Sequence, residues 1–405
     1  MILYMLLKET LREIVRLQRK ELESMDIGIK RDILKDIDLK ITHITILSGV
    51  RRCGKSTLLK QIMKDTKKFY YFNFEDQRAL NFELNDFEKL DQIFHEEFGE
   101  CNLYFFDEIQ NVNSWEMFVR KMHDNGKKVI ITGSNASLLS KELGTKLTGR
   151  HINYEVFPFS FSEILNFEKL KITQDSFKRY MRYGGFPEFL KYKKAEILQE
   201  LLNDILVRDI IARYSLREAK ILKEIAIHLL TNVGKEFSYT NLAKQFNLGS
   251  TNTVISYISY FEDSYLIFSI PKFDYSYRKR RVNPKKVYSI DVGLSNANSA
   301  SFSEDLGRIF ENVFFLALRR KYKEIYYFKG KRECDFLIKD GGRIVKAIQV
   351  CLSLNEENKE REIQGLKEAM NTLKLKDGVI VTLDQEDNLD GIEIKSFLKW
   401  FKEIP

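Results

Sequence analysis

The chain is poor in the residues that build disulfide-bonded or zinc-bound domains. Its 405 residues include four cysteines and five histidines. No two cysteines form a CxxC pair, and none lies beside a histidine at metal-ligand spacing. Because a structural zinc site needs such ligands close together, no zinc-stabilised fold is expected. Cys53, Cys101, Cys334 and Cys351 are therefore interpreted as reduced thiols of a cytoplasmic protein.

Long apolar runs, low-complexity segments and internal repeats are also missing from the sequence. No stretch of 18 apolar residues occurs, so no membrane-spanning helix and no membrane partner are predicted. The N-terminal sequence begins apolar, but Lys8 and Glu9 interrupt it and no small-residue cleavage site follows. It therefore predicts an amphipathic helix rather than a signal peptide. The formal net charge of +8 suits a nucleic-acid partner without requiring one.

Short runs of β-branched and aromatic residues alternate with amphipathic helical patterns in the first half of the chain. The runs are ITHITILSG, KKFYYFNFE, NLYFFDE, KKVIITGSN and HINYEVFPF. Strands that alternate with helices predict an α/β fold, a doubly wound parallel sheet of the P-loop NTPase kind. With 44% hydrophobic residues, a chain of this length is expected to build two or three cores.

The pattern changes after this region and predicts further domains. A helical pattern breaks at Tyr183-Gly184-Gly185-Phe186-Pro187, where one helix must stop and another start. Three short helical patterns and a hairpin then follow in the layout of a winged helix-turn-helix. The predicted domains are an N-terminal helical segment (1–39), a P-loop core (40–165), a helical lid or linker (166–215), a winged helix-turn-helix (216–295) and a C-terminal α/β domain (296–405) with a Gly341-Gly342 turn between two strands.

The first predicted strand leads into a glycine-rich phosphate-binding loop of the Walker A type. The sequence GVRRCGKS fits G-x-x-x-x-G-K-[ST] and precedes a helical pattern. The two glycines let the backbone wrap a phosphate closely, and the helix N-terminus favours an anion. Lys55 is expected to reach the β- and γ-phosphates of ATP, and Ser56 to offer its hydroxyl to Mg²⁺. The predicted nucleotide-binding residues are Gly49, Val50, Arg51, Arg52, Cys53, Gly54, Lys55, Ser56 and Thr57.

Polar residues that end the next strands are the candidates for catalysis. Asp107 and Glu108 close an apolar strand, and such strand ends lie beside the phosphate loop of a parallel sheet. Asp107 is expected to hold Mg²⁺, and Glu108 to polarise the attacking water. Of Ser134 and Asn135, one is expected to sense the γ-phosphate or align the water and the other to cap a helix. Arg150 is left with two roles, a transition-state cation or a surface arginine, and spacing alone favours the second.

These segments together resemble a family of archaeal and bacterial AAA-like P-loop ATPases (AAA_14 type) that carry a C-terminal domain of unknown function (DUF4143). The matching stretches are GVRRCGKST at 49–57, FNFED at 72–76, FDEIQ at 106–110, TGSN at 132–135, GR at 149–150, FPFSFSE at 157–163 and YGGFPE at 183–188. The resemblance covers nearly the whole chain and implies an ATPase that uses ATP and Mg²⁺. It also implies that Arg150 is an arginine finger or sensor and that Glu75 and Asp76 lie near the nucleotide.

The resemblance further implies a restriction-endonuclease-like fold for the C-terminal domain. In that fold a helix Glu, a strand Asp and a Glu-x-Lys on the next strand hold a metal ion and activate water. The matching positions here are Glu311, Asp335, Gln349 and Cys351. Gln349 supplies no negative charge and Cys351 no ammonium group. A degenerate site that does not cut nucleic acid is therefore expected.

Three functions stay open at this point. The first is an ATPase whose nucleotide state switches the outer domains on double-stranded DNA. The second is a signalling or scaffold ATPase that grips another protein, and the third is an ATP-dependent nuclease. Oligomerisation is compatible with all three. The residues expected to meet DNA phosphates lie on the predicted hairpin tip and just after it: Arg278, Lys279, Arg280, Arg281, Lys285 and Lys286, with Tyr275 and Tyr277 interleaved for stacking.

Overall fold

The computed structural model describes residues 6–64, 66–134, 147, 149–301 and 305–403. The chain divides into two compact units, of which the first comprises residues 1–157 and 263–265 and the second residues 158–262 and 266–405. Across the described residues, no helix is both long and apolar enough to cross a membrane. All four cysteines are described and are free thiols, as expected.

A parallel sheet forms the centre of the first unit. Its strands are β1 (Ile44–Ser48), β2 (Tyr70–Asn73), β3 (Leu103–Asp107), β4 (Lys128–Gly133) and β5 (His151–Glu155). The spatial order is β2-β3-β4-β1-β5, and all four pairings are parallel. These strands fall on the five predicted apolar runs, so the doubly wound α/β prediction is confirmed. Parallel strands are covered on both faces, which is why each reads as a nearly continuous apolar run.

Helices flank this sheet. They are α1 (Lys8–Ser24), α2 (Lys55–Lys64), α3 (Asp86–Phe98) and α4 (Trp115–Asp124), with short 3₁₀ helices at Asp32–Asp36, Gln77–Ala79 and Ile109–Asn111. The predicted N-terminal amphipathic helix is α1. Its buried Leu11, Ile14 and Val15 recur at helical spacing and join the core formed by the strands. The segment predicted separately as 1–39 is thus part of the first unit.

The second unit begins with the predicted helical region. Its helices are α5 (Phe161–Glu168), α6 (Gln174–Tyr183), α7 (Pro187–Tyr192) and α8 (Ala195–Asp204), which continues through a π-helical stretch, Ile205–Ile211, into Ala212–Tyr214. The predicted break lies between α6 and α7. Gly184 has a φ of 65°, and a Cβ on Gly185 would lie 2.2 Å from the carbonyl oxygen of Phe159. Both positions therefore require glycine.

Three helices and a small antiparallel sheet follow. They are α9 (Ala219–Thr231), α10 (Tyr239–Gln245) and α11 (Thr251–Asp263), with β6 (Glu236–Phe237), β7 (Ile267–Pro271) and β8 (Lys285–Ser289) in the order β6-β8-β7. The predicted helices and hairpin strands are present. The basic stretch lies at the tip of the β7–β8 hairpin, as predicted, but its helical conformation was not predicted. It forms a short helix, α12 (Tyr277–Val282), because the Ser276 hydroxyl accepts a hydrogen bond from the Lys279 N–H and caps it.

A mixed sheet organises the C-terminal part of the second unit. Its strands are β9 (Glu324–Lys329), β10 (Glu333–Asp340), β11 (Arg343–Val350), β12 (Gly378–Thr382), β13 (Asp387–Leu389) and β14 (Ile392–Ser396), and its helices are α13 (Val292–Asn298), α14 (Leu306–Lys321), α15 (Lys359–Leu373) and α16 (Phe397–Glu403). The order is β13-β14-β12-β11-β10-β9. The predicted Gly341-Gly342 turn joins β10 to β11, whereas the β13–β14 pair was not predicted.

Candidate nucleotide site

The loop between β1 and α2 adopts a backbone that glycine alone accommodates at two positions. A Cβ on Gly49 would lie 2.1 Å from the carbonyl oxygen of Val156, and Gly54 has a φ of 99°. A φ of 99° lies in a region that residues with a Cβ rarely adopt. Helix α2 begins at Lys55, so its amino end borders the loop. The predicted strand, loop and helix are therefore all in place around Gly49–Thr57.

Arg31, in the segment before β1, stabilises the phosphate loop through hydrogen bonds. Its side chain is 3% exposed; one guanidinium nitrogen donates to the carbonyl of Cys53 at 2.9 Å and another to that of Phe157 at 2.6 Å. Its own N–H donates to the side-chain oxygen of Gln61 on α2. Arg31 thereby ties the loop to the chain that follows β5. The sequence did not reveal this role, because KRDILKD resembles an exposed polar segment.

Lys55 and Glu108 form a buried ion pair at the mouth of the loop. The Nζ of Lys55 lies 3.2 Å from the Oε1 of Glu108 and donates to the carbonyl of Gly49 at 3.2 Å. Burial alone would lower the pKa of Lys55 and raise that of Glu108, but each charge stabilises the other. The pKa of Lys55 is therefore raised and that of Glu108 lowered. Both groups stay ionised at neutral pH.

Asp107 lies beside the predicted magnesium-binding hydroxyl. Its carboxylate is 1% exposed and accepts hydrogen bonds from the hydroxyls of Thr132 and Ser56. Burial and the neighbouring charge of Glu108 raise the pKa of Asp107 to about 6. A divalent cation would relieve this repulsion, and its preferred ligands are oxygens such as those of Ser56 and Asp107. The two residues therefore fit the magnesium role predicted for them.

Glu108 is held in an unusual backbone conformation. Its φ of 51° and ψ of 44° are left-handed, and its N–H donates to the Thr132 hydroxyl at 2.9 Å. Such strain in a residue other than glycine is typical of functional sites. The side-chain amide of Gln110 donates to the Glu108 carboxylate and lies 3.5 Å from the Ser134 hydroxyl. Ser134 is thus close to Glu108; Asn135 lies outside the described residues.

Arg150 lies at the amino ends of β1 and β5, whereas the phosphate loop lies at the carboxyl end of β1. Strands β1 and β5 run parallel, with Ile44 opposite His151, and the Ile44 N–H donates to the Arg150 carbonyl. The phosphate loop follows Ser48 at the other end of β1. Because a strand rises about 3.3 Å per residue, the whole length of β1 separates Arg150 from the phosphate loop. The guanidinium pairs instead with Asp124 at 3.1 Å. This position does not fit a sensor role for Arg150 on nucleotide bound to its own chain, and the pairing with Asp124 agrees with the surface-arginine alternative.

The two acidic residues after β2 differ in their surroundings. The carboxylate of Glu75 accepts a hydrogen bond from Arg51 of the loop at 2.9 Å, so Glu75 does lie beside the phosphate loop. Asp76 instead pairs with Arg78 and accepts from Gln18 of α1. The Arg78 contact lowers the pKa of Asp76 to about 2. These contacts fix the segment after β2.

The four residues predicted as a degenerate nuclease site come together in the second unit. Glu311, Asp335, Gln349 and Cys351 all line one pocket, with a volume of about 570 Å³. The N–H of Asp335 donates to the side-chain oxygen of Gln349 at 3.2 Å. Lys286, which had been grouped with the DNA-contacting residues, is wrongly placed there: it is 3% exposed and its ammonium lies among these carboxylates.

The predicted DNA-contacting residues of α12 are not equally accessible. Arg278, Lys279 and Arg281 are exposed, as are Tyr275 and Tyr277, at 79% and 68%. Arg280 is half-buried, and its guanidinium lies 3.4 Å from the hydroxyl of Tyr326. Three of the four predicted cations therefore face solvent.

Comparison with known proteins places these features in a family. A model described as an AAA domain matches residues 42–165, and two domains of unknown function, DUF8612 and DUF4143, match residues 174–305 and 306–398. An uncharacterized protein of Haemophilus influenzae is 27% identical over 393 residues, covering 90% of this chain and 95% of that protein. The uncharacterized protein MJ1544 of Methanocaldococcus jannaschii is 38% identical over 420 residues, covering 94% of this chain and 93% of that protein.

Two solved structures are distant matches. AMPPCP-bound DnaA from Aquifex aeolicus has 14% identity and a TM-score of 0.29, covering 62% of this chain and 88% of DnaA. Cdc6p from Pyrobaculum aerophilum has 12% identity and a TM-score of 0.26, covering 74% of this chain and 95% of Cdc6p. At these scores nothing about this chain follows from them. The domain matches and the MJ1544 alignment are decisive: the chain is an AAA-type protein with a DUF4143 domain and belongs to the same family as MJ1544.

Proposed function

We propose that the protein binds ATP with Mg²⁺ and hydrolyses it. The observation that carries this proposal is the buried constellation at the carboxyl end of β1 and β3. It combines the Lys55 ammonium, the Glu108 carboxylate 3.2 Å away, and Asp107 beside the Ser56 hydroxyl. A cation for the phosphates, a base for water and oxygen ligands for a metal ion are the parts that phosphoryl transfer to water requires.

The Lys55–Glu108 pair suggests how binding and chemistry are coupled. The phosphates of an incoming ATP compete with Glu108 for the Lys55 ammonium. Once Lys55 turns to the phosphates, the charge that lowers the pKa of Glu108 moves away. Glu108 then becomes a stronger base and is free to accept a proton from water. The ion pair thus holds the Glu108 carboxylate on Lys55 until ATP binds.

Neighbouring side chains support the two carboxylates. Mg²⁺, held by Ser56 and Asp107, would supply positive charge to the phosphate oxygens. Thr132 fixes both acids, because its hydroxyl donates to Asp107 and accepts from the Glu108 N–H. Gln110 holds the Glu108 carboxylate from the other side and reaches toward Ser134. Such positioning keeps a base within reach of the water it activates.

ATP is expected to bind the full chain in calorimetric titration with Mg²⁺, with one site per chain. In single-turnover assays with protein in excess, the bound ATP should be converted to ADP and phosphate, and chelation of Mg²⁺ with EDTA should stop the conversion. Absence of binding would refute the whole proposal. Binding without turnover would refute hydrolysis alone.

A second function, binding of double-stranded DNA, is favoured by helix α12. Here three exposed cations, Arg278, Lys279 and Arg281, stand beside the exposed rings of Tyr275 and Tyr277. Exposed cations meet the phosphates of a duplex, so this surface is suited to binding double-stranded DNA. The formal net charge of +8 adds a favourable long-range field. A protein partner explains the exposed cations less directly.

The protein is expected to bind duplex DNA without sequence preference and without cutting it. Affinity should fall by nearly one log unit per log unit of salt for each phosphate contact. Reversing charge with Lys279→Glu and Arg281→Glu should weaken binding and flatten this slope while ATP binding is retained. The matched control is Lys178→Glu with Lys376→Glu, which reverses two exposed lysines elsewhere in the second unit. Absence of DNA binding at low salt would instead favour the protein-partner function.

A further inference from the structure

A buried lysine occupies the centre of the acidic cluster in the second unit. Lys286, on β8, is 3% exposed. Its Nζ lies 2.6 Å from the Oε1 of Glu333, 2.9 Å from the Oδ1 of Asp335 and 3.1 Å from the Oε1 of Glu311. An ammonium group has three N–H donors. Two of them are donated to Glu311 and Asp335, and Glu333 adds an ion pair.

The carboxylates are fixed by further partners. The Tyr288 hydroxyl donates to the Oε1 of Glu311 at 2.6 Å, the oxygen that also faces Lys286. The second oxygen of Asp335 accepts the N–H of Val350 at 3.0 Å. Glu333 is 36% exposed and also faces Lys329 at 3.8 Å. The buried part of the cluster therefore consists of two carboxylates and one ammonium group.

Gln349 does not complete a metal site. Its side-chain oxygen accepts the N–H of Asp335, and its side-chain nitrogen donates to the carboxylate of Glu362 at 2.6 Å. Among the residues that the structure describes, no group of three or more His, Cys, Asp or Glu side chains is arranged to hold a metal ion. The metal that a restriction-endonuclease-like domain uses thus does not fit these side chains, because an ammonium group already stands between the two carboxylates.

We infer that Lys286 is a built-in cation that takes the place of a divalent metal ion between Glu311 and Asp335. This ion cluster ties β8, in the DUF8612 region, to α14 and β10 of the DUF4143 domain. The carboxylates are thereby held together without a metal. A divalent ion in the same position would stand next to the ammonium group and would be repelled by it. The inference depends only on the second unit and is independent of ATP hydrolysis.

The test is a Mn²⁺ titration of the nucleotide-free full chain, with free Mn²⁺ followed by electron paramagnetic resonance. Wild type and Asp335→Asn should give the same titration. Lys286→Met, which removes the charge but keeps an apolar chain of similar length, should gain one Mn²⁺ site per chain. That site should be at least about tenfold tighter than any in wild type, because two buried carboxylates are left without a counter-charge. It should vanish in Lys286→Met with Asp335→Asn.

Thermal unfolding gives a second measurement. Lys286→Met should melt at a lower temperature than wild type, and Mn²⁺ should raise its melting temperature because the ion binds only the folded state. Wild type and Lys286→Arg, which keeps the positive charge, should respond to Mn²⁺ equally and clearly less than Lys286→Met, because any response they share comes from sites elsewhere in the chain. If Lys286→Met does not fold, the comparison of wild type with Asp335→Asn still decides. A wild-type Mn²⁺ site lost in Asp335→Asn, or a folded Lys286→Met without Mn²⁺ binding, would overturn the inference.

Discussion

Replacing Lys55 with alanine is expected to abolish detectable ATP binding in calorimetry. The ammonium is 4% exposed and lies against the carbonyls of Gly49 and Val50, inside the phosphate loop. Two hydrogen bonds from a charged donor to phosphate oxygens are worth about 3 to 6 kcal/mol together. Their loss therefore weakens binding by a factor of about a hundred or more.

The matched control for this substitution is Lys64→Ala. Lys64 belongs to the same helix, α2, but its side chain is exposed at the far end of it. The substitution removes one positive charge from the first unit without changing the phosphate loop. Lys64→Ala should therefore bind ATP as wild type does. Equal ATP affinities in wild type and Lys55→Ala would show that the loop does not bind nucleotide through its lysine.

Replacing Glu108 with glutamine is expected to preserve ATP binding and slow hydrolysis by about a hundredfold or more, the usual loss when a positioned base is removed. The Glu108 carboxylate pairs with Lys55 before nucleotide binds. Glutamine removes this competition for the lysine, so ATP affinity should be unchanged or tighter. It cannot accept the proton of the attacking water. Single-turnover rates measure the chemical step apart from product release.

Glu75→Gln serves as the control for Glu108→Gln. Glu75 also lies beside the phosphate loop, where it pairs with Arg51, but it belongs to the segment after β2. Removing its charge should leave the single-turnover rate close to that of wild type. A Glu108→Gln protein that hydrolyses ATP at the wild-type rate would exclude Glu108 as the base.

Short-range patterns allowed much of the first unit to be predicted. The five parallel strands were recognisable because strands buried on both faces are continuously apolar. The phosphate loop was recognisable because its function depends on consecutive residues, with glycine needed at both ends and lysine at the start of a helix. The placement of Asp107 and Glu108 followed from a general property of parallel sheets, whose strands end at a common edge.

Features that depend on strand order or on distant partners were not predictable in this way. Arg150 belongs to a stretch that matches the family, but the parallel pairing of β5 with β1 places it at the amino ends of these strands. The phosphate loop lies at the carboxyl end of β1. Arg31 contacts carbonyls 22 and 126 residues away along the chain. No sequence spacing encodes such contacts, since they arise only when separate elements pack together.

The surroundings of Lys286 show most clearly which features the sequence reveals and which depend on the tertiary structure. By itself the sequence determined that Glu311, Asp335, Gln349 and Cys351 are present in the C-terminal domain, and only the resemblance implied that glutamine and cysteine replace an acid and a lysine there. Only the tertiary structure decided that a lysine 49 residues before Asp335 lies between these carboxylates. The physical reason is that residues on a strand alternate in direction, so Lys285 and Lys286 point to opposite sides. Which of the two sides holds an acidic cluster depends on the elements that pack against β8, and these come from other parts of the chain.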